Sequence, residues 1–190
     1  MHIRRYHILL TVIMCFSACK KREDYSEVRK TLEKVLEDDQ KYRQQIVIDW
    51  TKQSPLDRKN IQIVTKIIDS LGWLGKDKIG NDANTALFIV IQHADKLSTM
   101  EKYLPIMKEA AKKGNADKSQ LAYLIDRIEI NNNRKQIYGS QYSTDKNGKT
   151  YINNLIDSAN VNTRRKFMGL GPVEDYIRSM DSINNVMRKK

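Results

Sequence analysis

The sequence has 190 residues, of which 40% are apolar and 30% charged, as is typical of a globular protein. Its 8 glycines and 3 prolines are too few for a collagenous or low-complexity chain. A chain of this length suits one domain. The 34 basic and 23 acidic residues give a formal net charge of +11, which taken alone suggests a nucleic-acid partner.

The N-terminus changes that interpretation. Two arginines and no acid precede an apolar run, Ile8–Ala18, in the order typical of a signal peptide. The run is too short to cross a hydrocarbon core about 30 Å thick. The small residues directly before Cys19 resemble the lipobox of bacterial lipoproteins. This resemblance implies that residues 1–18 are cleaved and that Cys19 carries lipid. An ordinary secretory signal with a chance cysteine is the alternative.

Export argues against nucleic acid as a partner. Without residues 1–18 the chain keeps 32 basic and 23 acidic residues, a net charge of +9. We therefore expect a protein of the bacterial cell envelope, held at the membrane by its lipid, with its side of the membrane left open. An anionic envelope surface is a further expected partner, and a solvated basic surface with no partner is the alternative. Because the only cysteines are Cys15 and Cys19, no internal disulfide and no thiolate metal ligand is expected.

Residues 19–25 are predicted to form the lipidated cysteine and a tether, and residues 26–190 a single domain. Apolar residues at three- and four-residue spacing predict helices in the first part of this domain. In chain order the predicted elements are a helix from Ser26 to Gln53, a helix begun by Ser54-Pro55 and ended by Gly72, a loop from Trp73 to Asp82, a helix from Ala83 to Asp95, a helix capped by Ser98 and ended by Gly114, and a helix capped by Asp117 and ended by Asn131. A buried strand is the alternative for the segment around Phe88, because Phe-Ile-Val-Ile is β-prone.

The pattern changes after the asparagines at 131–133. Short segments rich in Tyr and Ile flank an Asn-Gly turn, which predicts a small β-hairpin within residues 136–155. A short helix ending at Gly169 and a last helix from Val173 to Lys190 complete the chain. The predicted fold is therefore mainly α, a single multi-helix domain with one small hairpin.

Signature motifs of common enzymes are missing from the sequence. It has no P-loop, no G-x-S-x-G elbow, no H-E-x-x-H zinc motif and no G-x-G-x-x-G string. The sequence therefore predicts no cofactor, and no metal site is predicted from one histidine and scattered aspartates.

Three polar strings resemble a known family when taken in order. They are Gln92-His93-Ala94-Asp95, Leu121-Ala-Tyr-Leu-Ile-Asp126-Arg127 and Gln136-Ile-Tyr138-Gly139-Ser-Gln141, with Gly72-Trp73 before them and Arg164-Arg165 and Gly169-Leu170 after. The resemblance is to a family of uncharacterised bacterial proteins, many of them lipoproteins or secreted proteins, that forms a domain of unknown function. It covers about residues 71–176. Leu74 stands where the family often has Pro, and Ser140 where it often has Thr.

His93 is the only histidine that remains after cleavage, and its side chain suits proton transfer near neutral pH. It follows Ile89 by four residues, so it lies on the apolar stripe of the predicted helix. A buried histidine satisfied by hydrogen bonds is the alternative. Asp95 and Gln92 flank His93 in sequence but project from other faces of a helix.

The other candidate residues come from the later strings. A buried Asp126 would need a partner such as an arginine, and a structural ion pair is the alternative to catalysis. Arg127 is predicted to lie on the same helix face as Asp126. Tyr138 and Gln141 would project from opposite faces of a strand. Gly139 between them indicates a bulge or close packing.

Two functional hypotheses follow. The leading one is a module that binds an unknown protein or small-molecule ligand while Cys19 tethers it to the envelope. The alternative is a hydrolase-like enzyme in which His93 is the general base and Asp126 or Asp95 orients it. In that case Arg127, Tyr138 or Gln141 would hold the substrate.

Overall fold

The computed structural model of the chain describes residues 23–45 and 47–188. In this part the chain forms eight α-helices, a short 3-10 turn and a two-stranded antiparallel sheet, which confirms the mainly helical fold with a small hairpin. The helices are α1 (Ser26–Gln40), α2 (Trp50–Leu71), α3 (Lys76–Ile79), α4 (Asn81–Gln92), α5 (Leu97–Lys112), α6 (Lys118–Asn131), α7 (Val161–Phe167) and α8 (Val173–Arg188). The 3-10 turn is Ser158–Asn160, and the strands are β1 (Ser143–Thr144) and β2 (Thr150–Tyr151).

Cys19 and the predicted signal peptide lie outside the described residues. Among the helices that the structure describes, none combines the length and the apolar character needed to span a membrane.

Helix α4 is the centre of the domain. Its apolar residues are distributed around the whole helix, and Ala83, Ala86, Leu87 and Ile91 are fully buried. It packs against α1, α2, α3, α5 and α6, so every face needs apolar side chains. The segment around Phe88 is therefore a buried helix, and the alternative of a buried strand is wrong.

The predicted single helix from Ser26 to Gln53 is wrong. Helix α1 ends at Gln40, and α2 begins at Trp50 behind Asp49, whose carboxylate accepts a hydrogen bond from the Lys52 amide. Ser54 and Pro55 therefore lie inside α2 rather than at its start. The buried side chain of Gln53 stabilises this break, because it accepts from the Tyr42 amide at 3.1 Å and donates to the Asp38 carbonyl at 3.3 Å.

The next helices agree more closely with prediction. Asp117 caps α6 as expected, since its carboxylate accepts from the Ser119 amide at 2.8 Å. Helix α5 begins at Leu97, one residue before the predicted cap Ser98. The predicted loop from Trp73 to Asp82 contains the single turn of α3.

The hairpin is shorter than the predicted segment. In its antiparallel ladder Ser143 pairs with Tyr151 and Thr144 with Thr150, and Gln136 and Leu155 form a separate parallel bridge. The Asp145 carboxylate holds the turn by accepting from the Asn147 and Lys149 amides, both at 2.9 Å. Residues 136–141 are not a strand of the hairpin but a loop lying between α6 and α7, and this loop contains several of the candidate residues.

Candidate functional site

His93 and Asp39 form the centre of the candidate site. His93 is the first residue after α4, and its Nδ1 lies 3.0 Å from Oδ1 and 3.1 Å from Oδ2 of Asp39, near the end of α1. The Asp39 side chain is 1% exposed, whereas that of His93 is 21% exposed. A buried carboxylate thus holds a histidine whose ring still reaches solvent.

This contact fixes the tautomer of the histidine. A carboxylate only accepts hydrogen bonds, so Nδ1 carries the proton and donates it to Asp39. Nε2 is then the nitrogen that is free to accept a proton. It makes no hydrogen bond within the described residues.

Arg43 and Asp57 support this pair. The Arg43 guanidinium contacts Asp39 Oδ1 at 3.3 Å and binds both oxygens of Asp57, at 2.9 and 2.6 Å. Gln53 donates a further bond to Asp57 Oδ1 at 2.8 Å. Because all these side chains are largely buried, the two carboxylates and the guanidinium stabilise one another in one arrangement. The network joins α1, the segment after it and α2.

A cavity of about 350 Å³ lies beside His93. Both signs of charge line it, since Asp95, Arg58 and Lys96 lie around it together with the buried pair. Its lining residues are Asp39, Asp57, Arg58, Ile61, Gln62, Val90, His93, Ala94, Asp95, Lys96 and Thr99. Of the predicted site residues, the structure therefore brings His93 and Asp95 to one cavity.

Asp126 lies elsewhere and has a different role. Its fully buried carboxylate accepts from three backbone amides, those of Ile137 at 2.7 Å, Tyr138 at 3.1 Å and Ser140 at 2.9 Å. It does not contact His93, and it makes neither the catalytic contact nor the arginine ion pair considered for it. Asp126 instead fixes the loop formed by residues 136–141, here called the amide loop.

Arg165 holds the other polar side of the amide loop. Its side chain is buried, and it donates to the carbonyls of Tyr138 at 2.9 Å and Gly139 at 3.2 Å. Gly139 has φ +63, and a Cβ there would lie 3.3 Å from Ile152, so this glycine serves close packing. The Gln141 side chain donates to the Tyr123 carbonyl and to the Ser140 hydroxyl. The backbone amide of Gln141 donates to the side-chain oxygen of Gln136.

The remaining candidates also lie outside the cavity. Burial and the nearby Asp126 charge raise the pKa of Tyr138. Burial lowers the pKa of Arg127, whose Nε is buried without a hydrogen-bond partner. Gln92 is 8% exposed, and its Oε1 likewise has no partner. Among the described residues no three His, Cys, Asp or Glu side chains group as metal ligands would.

Sequence reasoning missed Asp39, Arg43 and Asp57. Asp39 is 54 residues from His93 in the chain, so no local spacing connects them. One signal was available: Asp39 follows Leu32 by seven residues and Val35 by four, so an acid continues the apolar stripe of α1. A carboxylate on such a stripe is buried and must find a donor.

Replacing Asp126 by Asn tests its structural role. The variant should lower the free energy of unfolding by about 3 kcal/mol, because three amides lose a charged acceptor and one meets an N–H group instead. Urea denaturation measures this loss, and amide hydrogen exchange at Ile137, Tyr138 and Ser140 should become faster. Exposed Asp95→Asn is the matched control, expected within about 0.5 kcal/mol of wild type. Unchanged stability and exchange in the Asp126 variant would contradict the assignment.

Tyr176 is expected to make the stability of the domain depend on alkaline pH. Its hydroxyl donates to the Ser140 carbonyl at 2.8 Å, and burial, with Tyr123 and Tyr142 nearby, raises its pKa. A pKa above the unfolded value of about 10 means that stability is complete below pH 10 and falls as the pH rises further. Tyr176→Phe should lose about 1 kcal/mol at pH 8 but show a shallower loss between pH 10 and 11. Urea unfolding at each pH measures this, with exposed Tyr151→Phe as control. Equal slopes in all three proteins would refute the prediction.

Comparison with known proteins gives a family. No curated protein and no solved structure matches the chain. A family model described as a family of unknown function, DUF6624, matches residues 26–189. The match includes the whole helical domain with His93, Asp39 and the amide loop, and it extends beyond the resemblance over residues 71–176. The chain therefore belongs to the family of unknown function DUF6624.

Proposed function

We propose that the protein is a lipid-anchored protein of the bacterial cell envelope whose helical domain binds a small polar ligand at His93. The anchor is proposed from the sequence, where basic residues, an apolar run and small residues precede Cys19. The binding role is proposed from one observation, the half-buried histidine held by a buried carboxylate beside a cavity.

The pairing of the ring supports ligand binding over a purely structural role. A histidine that only fills a core has both nitrogens satisfied by the protein or excluded from solvent. In His93 one nitrogen is held by Asp39, while the other has no partner in the described residues and the ring lines a cavity. The cavity volume, about 350 Å³, is within the range of small-molecule sites.

The lining indicates the kind of ligand. Cations from Arg58 and Lys96 and the Asp95 carboxylate lie around an apolar wall that includes Ile61 and Val90. Such a lining matches a compact molecule with both donors and acceptors better than a purely apolar one. We therefore propose a polar or zwitterionic ligand.

A hydrolase-like enzyme is the second candidate, and the Asp39–His93 contact favours it. The carboxylate would stabilise the imidazolium that forms when Nε2 takes a proton from water, as a general base does. Asp39 has the orienting position that sequence reasoning gave to Asp126 or Asp95. Only Asp95 of those two lies at the cavity.

The anchor is tested by Cys19→Ala in cells of the source bacterium. Because the acyl chains on Cys19 would hold the protein at the membrane, the variant should leave the membrane fraction and incorporate no labelled palmitate. Immunoblots of fractionated cells and palmitate labelling measure both effects. Cys15→Ala is the matched control and should behave as wild type. Palmitate on the Cys19 variant would refute the lipoprotein assignment.

Ligand binding is tested with a thermal-shift screen of amino acids, small sugars, short peptides and phosphate esters. A true ligand at a free concentration of a hundred times its Kd raises the free energy of unfolding by about 2.7 kcal/mol and therefore raises Tm. Thr99→Trp should abolish the shift by filling the cavity, and His93→Gln should reduce it. Thr163→Trp, at an exposed position of α7, is the control and should retain it. A shift that survives in the Thr99 and His93 variants would place the ligand elsewhere.

The same compounds separate binding from catalysis. If any is hydrolysed, His93→Gln should lower kcat by about 10²- to 10⁴-fold, the usual contribution of a general base. Asp39→Asn should lower kcat as well, because the histidine ring would lose the carboxylate that fixes its tautomer. Asp95→Asn should leave most of the rate. Bound compounds recovered unchanged would support the binding module and count against the hydrolase.

A further inference from the structure

The segment between α1 and α2, together with the first turn of α2, exposes apolar side chains to solvent. Val47 is 79% exposed and Trp50 55%, although each would be expected in a core. Cations lie over the rings of this segment: Lys41 and Lys52 have their Nζ atoms 5.6 and 5.8 Å from the centroid of the Tyr42 ring. Tyr42, Val47, Trp50, Lys41 and Lys52 are here called the aromatic patch.

The residue types of the aromatic patch are those that proteins place at the surface of a bilayer. Trp and Tyr rings are enriched at membrane interfaces, because the apolar body enters the headgroup region while the polar end stays hydrated. Lysines next to them are attracted to anionic lipid headgroups. Contact with an apolar protein surface would be unfavourable, because it would desolvate the lysines without supplying a negative charge.

The charges around the patch agree with an anionic partner. Asp49 is the acid of this segment, and it caps α2 and pairs with Lys52 at 2.8 Å. Lys41 has no carboxylate partner among the described residues, whereas Arg43, 5.9 Å from the Trp50 ring, is paired in the buried network with both Asp39 and Asp57. Since Asp49 offsets Lys52, the side chains of the patch keep one positive charge in excess, that of Lys41, on a chain with a surplus of basic residues.

The position of the patch suits a domain tethered at Cys19, a step that rests on the proposed anchor. Helix α1 begins seven residues after Cys19, and seven extended residues reach at most about 24 Å. The patch follows the other end of α1, whose 15 residues span about 22 Å. A domain held at Cys19 can therefore lie with α1 along the bilayer and its patch against the lipid.

We propose that the aromatic patch docks the domain on an anionic lipid bilayer. Trp50 and Val47 enter the headgroup region, and Lys41 contacts the lipid phosphates. Docking gives the tethered domain a fixed face toward the membrane and keeps it from moving freely around its lipid.

Trp50 is its own reporter, because the chain has two tryptophans and Trp73 is only 6% exposed. The full chain is reconstituted into vesicles of phosphatidylcholine with 30% phosphatidylglycerol carrying brominated acyl chains. Trp50 fluorescence should shift to the blue and be quenched by the bromine. Vesicles of phosphatidylcholine without the anionic lipid should give a much smaller blue shift and much less quenching. Lys41→Gln should lower the equilibrium constant for contact by about fivefold, since one lysine near an anionic surface contributes about that factor.

The matched control moves the tryptophan to another exposed ring. Phe167 is 80% exposed and has Lys118 5.8 Å from its ring. In the double variant Trp50→Phe, Phe167→Trp, the new tryptophan should not be quenched. Equal quenching at both positions, or none at Trp50 in anionic vesicles, would overturn the proposal. Shielding of Trp50 with rising protein concentration and no lipid would also overturn it, in favour of a second copy.

The outcome is separable from that of the anchor. The full chain is reconstituted in every sample, so the Cys19→Ala variant can be measured in the same vesicles. Quenching of Trp50 in that variant would support the aromatic patch even if palmitate labelling refutes the lipid on Cys19. Absence of Trp50 quenching in the wild-type chain, together with normal palmitate labelling of that chain, would refute the patch alone.

Discussion

A carboxylate taken out of water must be given hydrogen-bond donors, and two such carboxylates organise this domain. Asp39 is 1% exposed and Asp126 fully buried. An ionised carboxylate buried without donors would cost several kcal/mol, so the chain around each is arranged to supply them. Asp39 brings together the ends of α1 and α4 with the start of α2. Asp126 ties the amide loop to α6.

The two carboxylates differ in their donors, and this difference separates structure from candidate function. Asp126 is bound by backbone amides, which neither titrate near neutral pH nor move without the loop. Asp39 is bound by an arginine and by a histidine that lines a cavity. The first arrangement holds the shape of the amide loop. The second places a partly exposed histidine ring between a buried carboxylate and a cavity, and the proposed binding role rests on this arrangement.

Much of the fold could be predicted from the sequence, because its signals are local. The apolar residues of α4 and the cap at Asp117 each lie within one element, and both gave the right helix. The break between α1 and α2 could not be found in this way. Gln53 stabilises it through contacts with Asp38 and Tyr42, and a tertiary hydrogen bond leaves no periodic trace in the sequence. His93 was identified from its chemistry, but its partner required the packing of α1 on α4.

The long separation of Asp39 and His93 has a consequence for folding. Closing a loop of 54 residues costs chain entropy, and the contact stabilises the protein only once α1 packs on α4. The helices depend mainly on local interactions, whereas the candidate site exists only when α1 is docked on α4. Occupation of the site therefore reports that the domain is fully folded, and a partly folded chain with all its helices would have no pocket to offer.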